Sequence, residues 1–276
     1  MGIVNMTPDS FSDGGRFGDV GAAIDHALRL IDEGADVIDV GGESTRPRGG
    51  VYGEGATTVS AQEEIRRIIP IVDYLSKHTD TIVSVDTTKA IVAKAALDVG
   101  AQMINDISAL AMDPEMAAVV AGAKSPVVLM HMRGNPSTTQ TFAQYDDVVE
   151  DVTKELSERT KTAIERGISA QNIVIDPGLG FGKGTDDNIR LIAGLKRLCA
   201  LGYPVLIGPS RKAFVGGLSG VSEPARRIFG SMGAIAAGYW QGANFVRVHD
   251  VAPTKQMLAV LEAVAKSSIR GFAGST

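Results

Sequence analysis

The sequence predicts an α/β protein, a single-domain (β/α)8 TIM barrel over residues 1–276, and three observations point to it. Eight short apolar runs alternate strictly with eight amphipathic ones, with no linker or shift of composition between them. Three junctions repeat: Gly34-Ala35-Asp36, Gly100-Ala101-Gln102 and Gly242-Ala243-Asn244 each end a helix at a glycine and lead into a strand. The length, 276 residues, suits a barrel of this kind, which needs roughly 250. The rival is a doubly wound open sheet, whose first strand–helix turn should carry a glycine fingerprint. That turn here reads T-P-D-S-F-S-D-G-G.

In chain order, Gly2–Asn5 is a short first strand, followed by the polar loop Met6–Gly18. A helix is predicted over Gly21–Glu33, where Ile24, Leu28 and Ile31 share a face. The second strand is Asp36–Gly42; a glycine-rich loop, Glu43–Ser60, separates it from a helix at Ala61–Lys77. Strands three and four are Thr81–Asp86 and Met103–Asp106, with helices at Thr88–Val99 and Pro114–Ala121. Strand five is Val127–Met132, with a long helix over Asp146–Arg166. Strand six begins the stretch N-I-V-I-D-P-G-L-G-F-G-K-G at Asn172–Gly184, before a helix at Asp187–Leu198. Its three β-branched residues deliver Asp176 into a glycine-rich mouth, where Pro177 bars any continuation. Strand seven is Val205–Gly208 with a helix at Pro224–Gln241; strand eight is Asn244–Val248 with a helix at Pro253–Ile269.

Apolar residues make up 44% of the chain and its net charge is −5 without a basic run, so nucleic acid is a poor partner and a sizeable core is possible. Neither a signal peptide nor a membrane span is visible, and Met6 stands where a myristoylation signal needs Ser or Thr. With one cysteine, Cys199, no internal disulfide can form, and the reading is a soluble protein of the reducing cytoplasm.

Barrels of this type place chemistry at the C-terminal ends of their strands. Here those ends carry Asn5; Glu43, Thr45 and Arg46; Ser84 and Asp86; Asn105 and Asp106; His131; Asp176; Ser210, Arg211 and Lys212; and Arg247 with His249. Taken singly, Asp86 and Asp106 could cap helices and Asp13 could serve a turn. Bland placement gives no reason for nearly every strand to end in a polar or charged group. The four histidines are scattered and cysteine pairs are absent, so a zinc site is improbable. Gly178–Thr185 fails as a phosphate loop, because Gly184 follows Gly182-Lys183 where Ser or Thr is required. A carboxylate such as Asp176 suits bidentate pairing with a planar N–C–N edge. Ser210-Arg211-Lys212 and Arg247-x-His249 read as an anion clamp on loops seven and eight.

Together these residues resemble the dihydropteroate synthase family over essentially the whole chain. The motifs are G-I-V-N-M-T-P-D-S-F-S-D-G-G at Gly2–Gly15, G-G-E-S-T-R-P at Gly41–Pro47, Asp86, N-D-I at Asn105–Ile107 and L-M-H at Leu129–His131. They continue with D-P-G-L-G-F-G-K at Asp176–Lys183, S-R-K at Ser210–Lys212 and R-V-H-D-V at Arg247–Val251. The resemblance implies condensation of 6-hydroxymethyl-7,8-dihydropterin diphosphate with para-aminobenzoate, giving dihydropteroate and pyrophosphate, by a Mg²⁺-assisted homodimer. By position, Asp86, Asn105, Asp176 and Lys212 would bind the pterin's polar edges, with Ile107 and Met130 against its ring. Arg247, His249 and Asn5 would bind the diphosphate, and Asn5 would hold the Mg²⁺. Phe11, Thr45, Pro47, Phe181 and Ser210 would line the para-aminobenzoate slot. Asp13, Arg46 and Lys212 would be the catalytic groups, with Phe11, Asp13 and Arg46 on loops that close over the reaction. Two alternatives stay open: a methyltetrahydrofolate-type methyltransferase, and a non-catalytic pterin-binding paralogue.

Overall fold

The computed structural model describes residues 1–6, 16–44, 59–142 and 144–272. Its strands are β1 (Gly2–Asn5), β2 (Val37–Gly41), β3 (Ile82–Asp86), β4 (Met103–Asp106), β5 (Val127–Met130), β6 (Ile173–Asp176), β7 (Leu206–Ile207) and β8 (Phe245–Val246). β1 to β6 pair in chain order, each parallel to the next, and β7 pairs in parallel with β8. Two single bridges close the ring: Ile175 against Val205 joins β6 to the start of β7, and Gly2 against Val248 joins β8 to β1. Backbone bonds from Ile175 N to Pro204 O (2.9 Å) and from Ile3 N to Val248 O (3.0 Å) form these seams. The predicted barrel is therefore the observed one, closed.

Alternation along the strands builds two separate interiors. Ile38, Val40, Val83, Val85, Ile104, Val127, Leu129, Ile173, Ile175 and Ile207 belong to the large core shared with the surrounding helices. Their neighbours Val37, Met103, Val128, Val174 and Leu206 form a smaller cluster with Met1 and Phe245, drawn from almost every strand. That cluster plugs the N-terminal half of the barrel's inside. Stepping along each strand in the same parity reaches Asn5, Asp39 and Gly41, Ser84 and Asp86, Asn105, Met130, Asp176 and Arg247. On most strands that side is thus apolar at the bottom of the cylinder and polar at the top.

The helices are α1 (Arg16–Asp32), α2 (Ala61–His78), α3 (Ala90–Asp98), α4 (Met116–Ala123), α5 (Val148–Glu165), α6 (Thr185–Ala193), α7 (Leu195–Cys199), α8 (Ala213–Ser219), α9 (Ile228–Trp240) and α10 (Val251–Phe272). α1 begins at Arg16, inside the loop expected to run to Gly18, and three others differ from expectation. The helix predicted over Asp187–Leu198 is broken at Gly194, where an added Cβ would lie 2.8 Å from Val149 Cγ2. α8 was not predicted, because Gly216 and Gly217 weaken its helical signal. The helix expected over Pro224–Gln241 begins as a 3-10 turn, Pro224–Arg226, and only then becomes α9. Of the glycines in α9, Gly230 and Gly238 make room for the chain's own Val215 and Ile207, within 2.7 and 2.3 Å of an added Cβ. Among the described residues no helix is long and apolar enough to cross a membrane.

Candidate active site

The C-terminal rim gathers charges from both sheets. Arg247, just past β8, donates from Nε to Asp39 Oδ2 (2.6 Å) and from an Nη to Asp86 Oδ2 (2.9 Å). Asn105 Nδ2 donates to the same Asp39 oxygen at 3.0 Å. Asp86, Asn105 and Asp176 are all buried, with exposures of 7%, 4% and 6%. Asn5 lies beside them: a Cβ placed on Gly41 would sit 3.4 Å from Asn5 Oδ1 and 3.5 Å from Asp86 Cβ. The absence of a side chain at Gly41 leaves these two groups facing one space.

Several of these atoms have no partner among the described residues. Asp86 Oδ1, Asp39 Oδ1 and Ser84 Oγ are buried without a hydrogen bond to any of them. A buried carboxylate oxygen left unpaired costs about 1–3 kcal/mol or more, so its persistence points to a donor beyond these residues. Burial pushes the Asp86 carboxyl well above the usual carboxylate range, against the pull of Arg247. Burial likewise pushes Asp176 up to about 6, although the Gly178 N–H (2.7 Å to Oδ1) and Lys212 favour its charged form. Lys212 is pulled down to about 8, by burial first and by Arg247 next. Its ammonium lies 4.0 Å from the centre of the Phe181 ring. Phe181 packs in turn with Ile107 and Met130 as a small apolar patch. The rim therefore pairs a hydrogen-bonding wall with an apolar shelf, the combination a flat, polar-edged heterocycle requires.

Ser210 and His249 are joined. The His249 backbone N–H donates to Ser210 Oγ at 3.2 Å, and Ser210 Oγ lies 3.0 Å from His249 Nδ1. With one lone pair taken, Oγ keeps a second lone pair and its proton, so it can donate to Nδ1 or accept from it. Burial, with Arg211 and Arg247 nearby, draws His249 down to about 3, so it is neutral. A cavity of about 270 Å³ opens from Asp86 and Ile107 toward Lys89, Asp113 and Ser137.

Of the residues expected to form the site, Asn5, Asp86, Asn105, Ile107, Met130, Asp176, Phe181, Ser210, Lys212, Arg247 and His249 lie at this rim. Phe11, Asp13, Thr45, Arg46 and Pro47 lie outside the described residues. Arg211 differs from expectation: its guanidinium pairs with Asp250 through two bonds, of 3.0 and 2.6 Å. Asp106 does too: its carboxylate accepts from Ser108 N, Ser108 Oγ and Leu110 N, a local turn. Asp39 was missed. It is mid-strand and fully buried, and its signal was an aspartate at an inward-facing position of an otherwise apolar strand.

The comparisons with known proteins agree with this geometry. A family model described as pterin binding enzyme matches residues 1–249. A dihydropteroate synthase of Synechocystis is 43% identical over 264 residues, covering 96% of this chain and 89% of its own length. The structure of Xanthomonas albilineans dihydropteroate synthase with 4-aminobenzoic acid superposes with a TM-score of 0.88 at 49% identity, covering 96% of this chain and 92% of that one. The same organism's enzyme in complex with 7,8-dihydropteroate gives 0.85 at 46% identity over the same shares. Closed barrel, polar rim and near-full-length similarity coincide, and the chain belongs to the dihydropteroate synthase family of pterin-binding enzymes.

Proposed function

We propose that the chain catalyses the condensation of 6-hydroxymethyl-7,8-dihydropterin diphosphate with para-aminobenzoate, forming 7,8-dihydropteroate and pyrophosphate for folate biosynthesis. The observation that carries this reading is the buried Asp86 Oδ1, unpaired among the described residues, beside Asn105 and Asp176. Together they offer acceptors and an amide to the pterin's N–H edge, while Lys212 meets the ring's opposite heteroatoms. Ile107 and Met130 supply the apolar surface for the ring. A pterin lacking one of these donors would leave a charged group unpaired, which is how such a wall selects its ligand.

The reaction breaks the C–O bond between the pterin methylene and the diphosphate, with the electron pair leaving on oxygen. The aniline nitrogen then forms the new C–N bond and gives up a proton. A neutral arylamine needs no strong general base to attack, and the proton it then loses can pass to water. Catalysis is orientation plus electrostatics. Arg247 and the neutral His249 imidazole would bind the phosphate oxygens, and Phe181, Ser210 and the stem of Lys212 would line the para-aminobenzoate slot. Thr45, Pro47 and Phe11 would complete that slot, with Asp13 and Arg46 closing over the developing charge.

A Mg²⁺ ion would arrive with the diphosphate, held on the protein by Asn5 Oδ1, and would neutralise the departing charge. The residues suit that arrangement: Asn5 Oδ1 lies beside Asp86 over the side-chain-free Gly41, and Mg²⁺ bound to phosphates takes few protein ligands. The reading extends to a cytoplasmic homodimer. Phe229 is 81% and Trp240 48% exposed on α9, and Val260 and Val264 are exposed on the adjacent α10. Pyrophosphate release with and without para-aminobenzoate tests the activity. Release that depends on the arylamine is expected; none, with both substrates and Mg²⁺ present, overturns the proposal. Sedimentation of the purified chain at twice the monomer mass is expected for the dimer, and a monomer would overturn it.

A further inference from the structure

Lys183 is the buried charge that this chemistry leaves unused. It follows Phe181 and Gly182 in the loop after β6, with an exposure of 5%. Its Nζ reaches Phe181 O at 2.9 Å, His131 Nδ1 at 3.0 Å and His131 O at 3.3 Å. Three ammonium protons thus meet three acceptors, two of them on the residue that follows β5. His131 Nε2 lies 2.9 Å from Glu155 Oε2 on α5. A proton on Nε2, donated to that carboxylate, leaves Nδ1 as the acceptor for Lys183. Burial first, and then Lys183 itself, draws His131 down to about 4, in keeping with this neutral tautomer. The same loop touches the end of β5 again at Gly178, whose φ is +68° and whose added Cβ would lie 2.0 Å from His131 O. On its other side the loop carries the Phe181 ring over the Lys212 ammonium.

We infer that Lys183 is a positioning residue: by binding the Phe181 carbonyl and both acceptors of His131, it fixes the loop after β6 so that the Phe181 ring is held against Lys212. It touches neither substrate. Its effect passes through Phe181 to the para-aminobenzoate slot, and that consequence rests on the function proposed above. Burying a lysine with few carboxylates nearby is costly, and burial pulls Lys183 down to about 7. A side chain whose only task was to fill space would incur no such penalty; a leucine or methionine would serve.

The test replaces Lys183 by Met, which fills the volume and removes the donors, and by Gln, which keeps a donor and carries the test should the Met variant fail to fold. Hydrogen exchange reads the loop directly, without substrates. Amides of residues 178–184 should exchange at least tenfold faster in either variant, with those of β1 to β4 unchanged. In turnover, the KM for para-aminobenzoate should rise about tenfold in Lys183→Met and less in Lys183→Gln. The affinity for pterin diphosphate, measured by calorimetry, should stay within threefold. Phe181→Leu should also raise that KM, and the double variant Lys183→Met/Phe181→Leu should be no worse than Phe181→Leu alone. Unchanged exchange in the loop overturns the inference, as do KM effects that multiply. A KM unchanged in Phe181→Leu sinks the assignment of the slot instead, and the exchange rates then decide the role of Lys183 by themselves.

Discussion

The end of β3 and the end of β4 lie side by side in the barrel, and each closes on a buried aspartate. Asp86 and Asp106 are 7% and 0% exposed, and burial pushes both carboxyls above their usual range. Their surroundings differ completely. Asp106 shares its face with Ile104, in the core between strands and helices, and its two oxygens accept three bonds from its own loop. These bonds hold Ala109 and Leu110 at φ of 50° and 65°, a conformation that residues with a side chain adopt at a cost. Asp86 shares its face with Ser84, on the inside of the cylinder, and has one oxygen on Arg247 and one without a partner among the described residues. Residue type, depth and position at a strand end are the same. Strand parity decides which carboxylate builds the fold and which is kept for a ligand.

The largest effect that could break this comparison comes from truncating the two residues in turn. Asp86→Ala should reduce pterin affinity at least 100-fold in calorimetry, about 2.7 kcal/mol, as expected when a charge-assisted pairing is lost. Asp106→Ala should do the reverse. Three backbone and hydroxyl donors lose their acceptor and two strained residues lose their restraint, so unfolding stability in urea should drop by about 3–4 kcal/mol. Pterin affinity of the folded protein should change less than tenfold. If Asp106→Ala abolishes binding in a protein of normal stability, parity is not the discriminator.

A smaller effect sharpens the same contrast through pH. Asp176 is pushed up to about 6 in the folded chain, against 3.8 when unfolded. An acid with a raised folded pKa binds more protons in the native state between those values, so its contribution to stability is present near pH 4 and lost as pH rises through 6. Asp176→Asn removes that dependence. The stability of the Asn variant relative to the parent should therefore grow by about 2–3 kcal/mol from pH 4 to pH 7 and then level off. A flat difference across that range would mean that the ligand-free site does not strain Asp176.

Much of this was legible in the letters, for a physical reason. β-Branched runs such as Ile173-Val174-Ile175 mark strands, and a charged residue at their end has to be accommodated somewhere. That is enough to find Asp86, Asn105, Asp176 and Arg247. The same reasoning stops at strand ends, and so passes over Asp39, which lies two residues inside Gly41 and anchors both Arg247 and Asn105. Applying parity inward from Asn5 and Gly41 would have found it. Arg211 misleads because the chain's own Asp250, which takes its guanidinium, is an acidic partner visible only in three dimensions. Lys183 misleads differently: it reads as a failed phosphate loop, because its acceptors at His131 lie 52 positions away along the chain. α8 is hidden by its glycines, which are tolerated because packing rather than propensity holds it.

The smallest test separates the carboxylate of Asp106 from the turn that it organises. Ser108 Oγ donates to Asp106 Oδ1 at 2.7 Å and accepts from Ala111 N and Met112 N, each at 3.2 Å. Ser108→Ala removes those three bonds and leaves Asp106 its two backbone donors, Ser108 N and Leu110 N. Each hydroxyl bond nets about 1 kcal/mol or less, and the two accepted ones are long and lie where water can replace them. The expected loss is therefore about 1 kcal/mol in urea unfolding, with pterin affinity unchanged within error. A loss as large as that of Asp106→Ala would show that the hydroxyl, and not the aspartate, holds Ala109 and Leu110 in their left-handed turn. The contrast between the two strand ends would then rest on Ser108, whose position two residues past the strand owes nothing to parity.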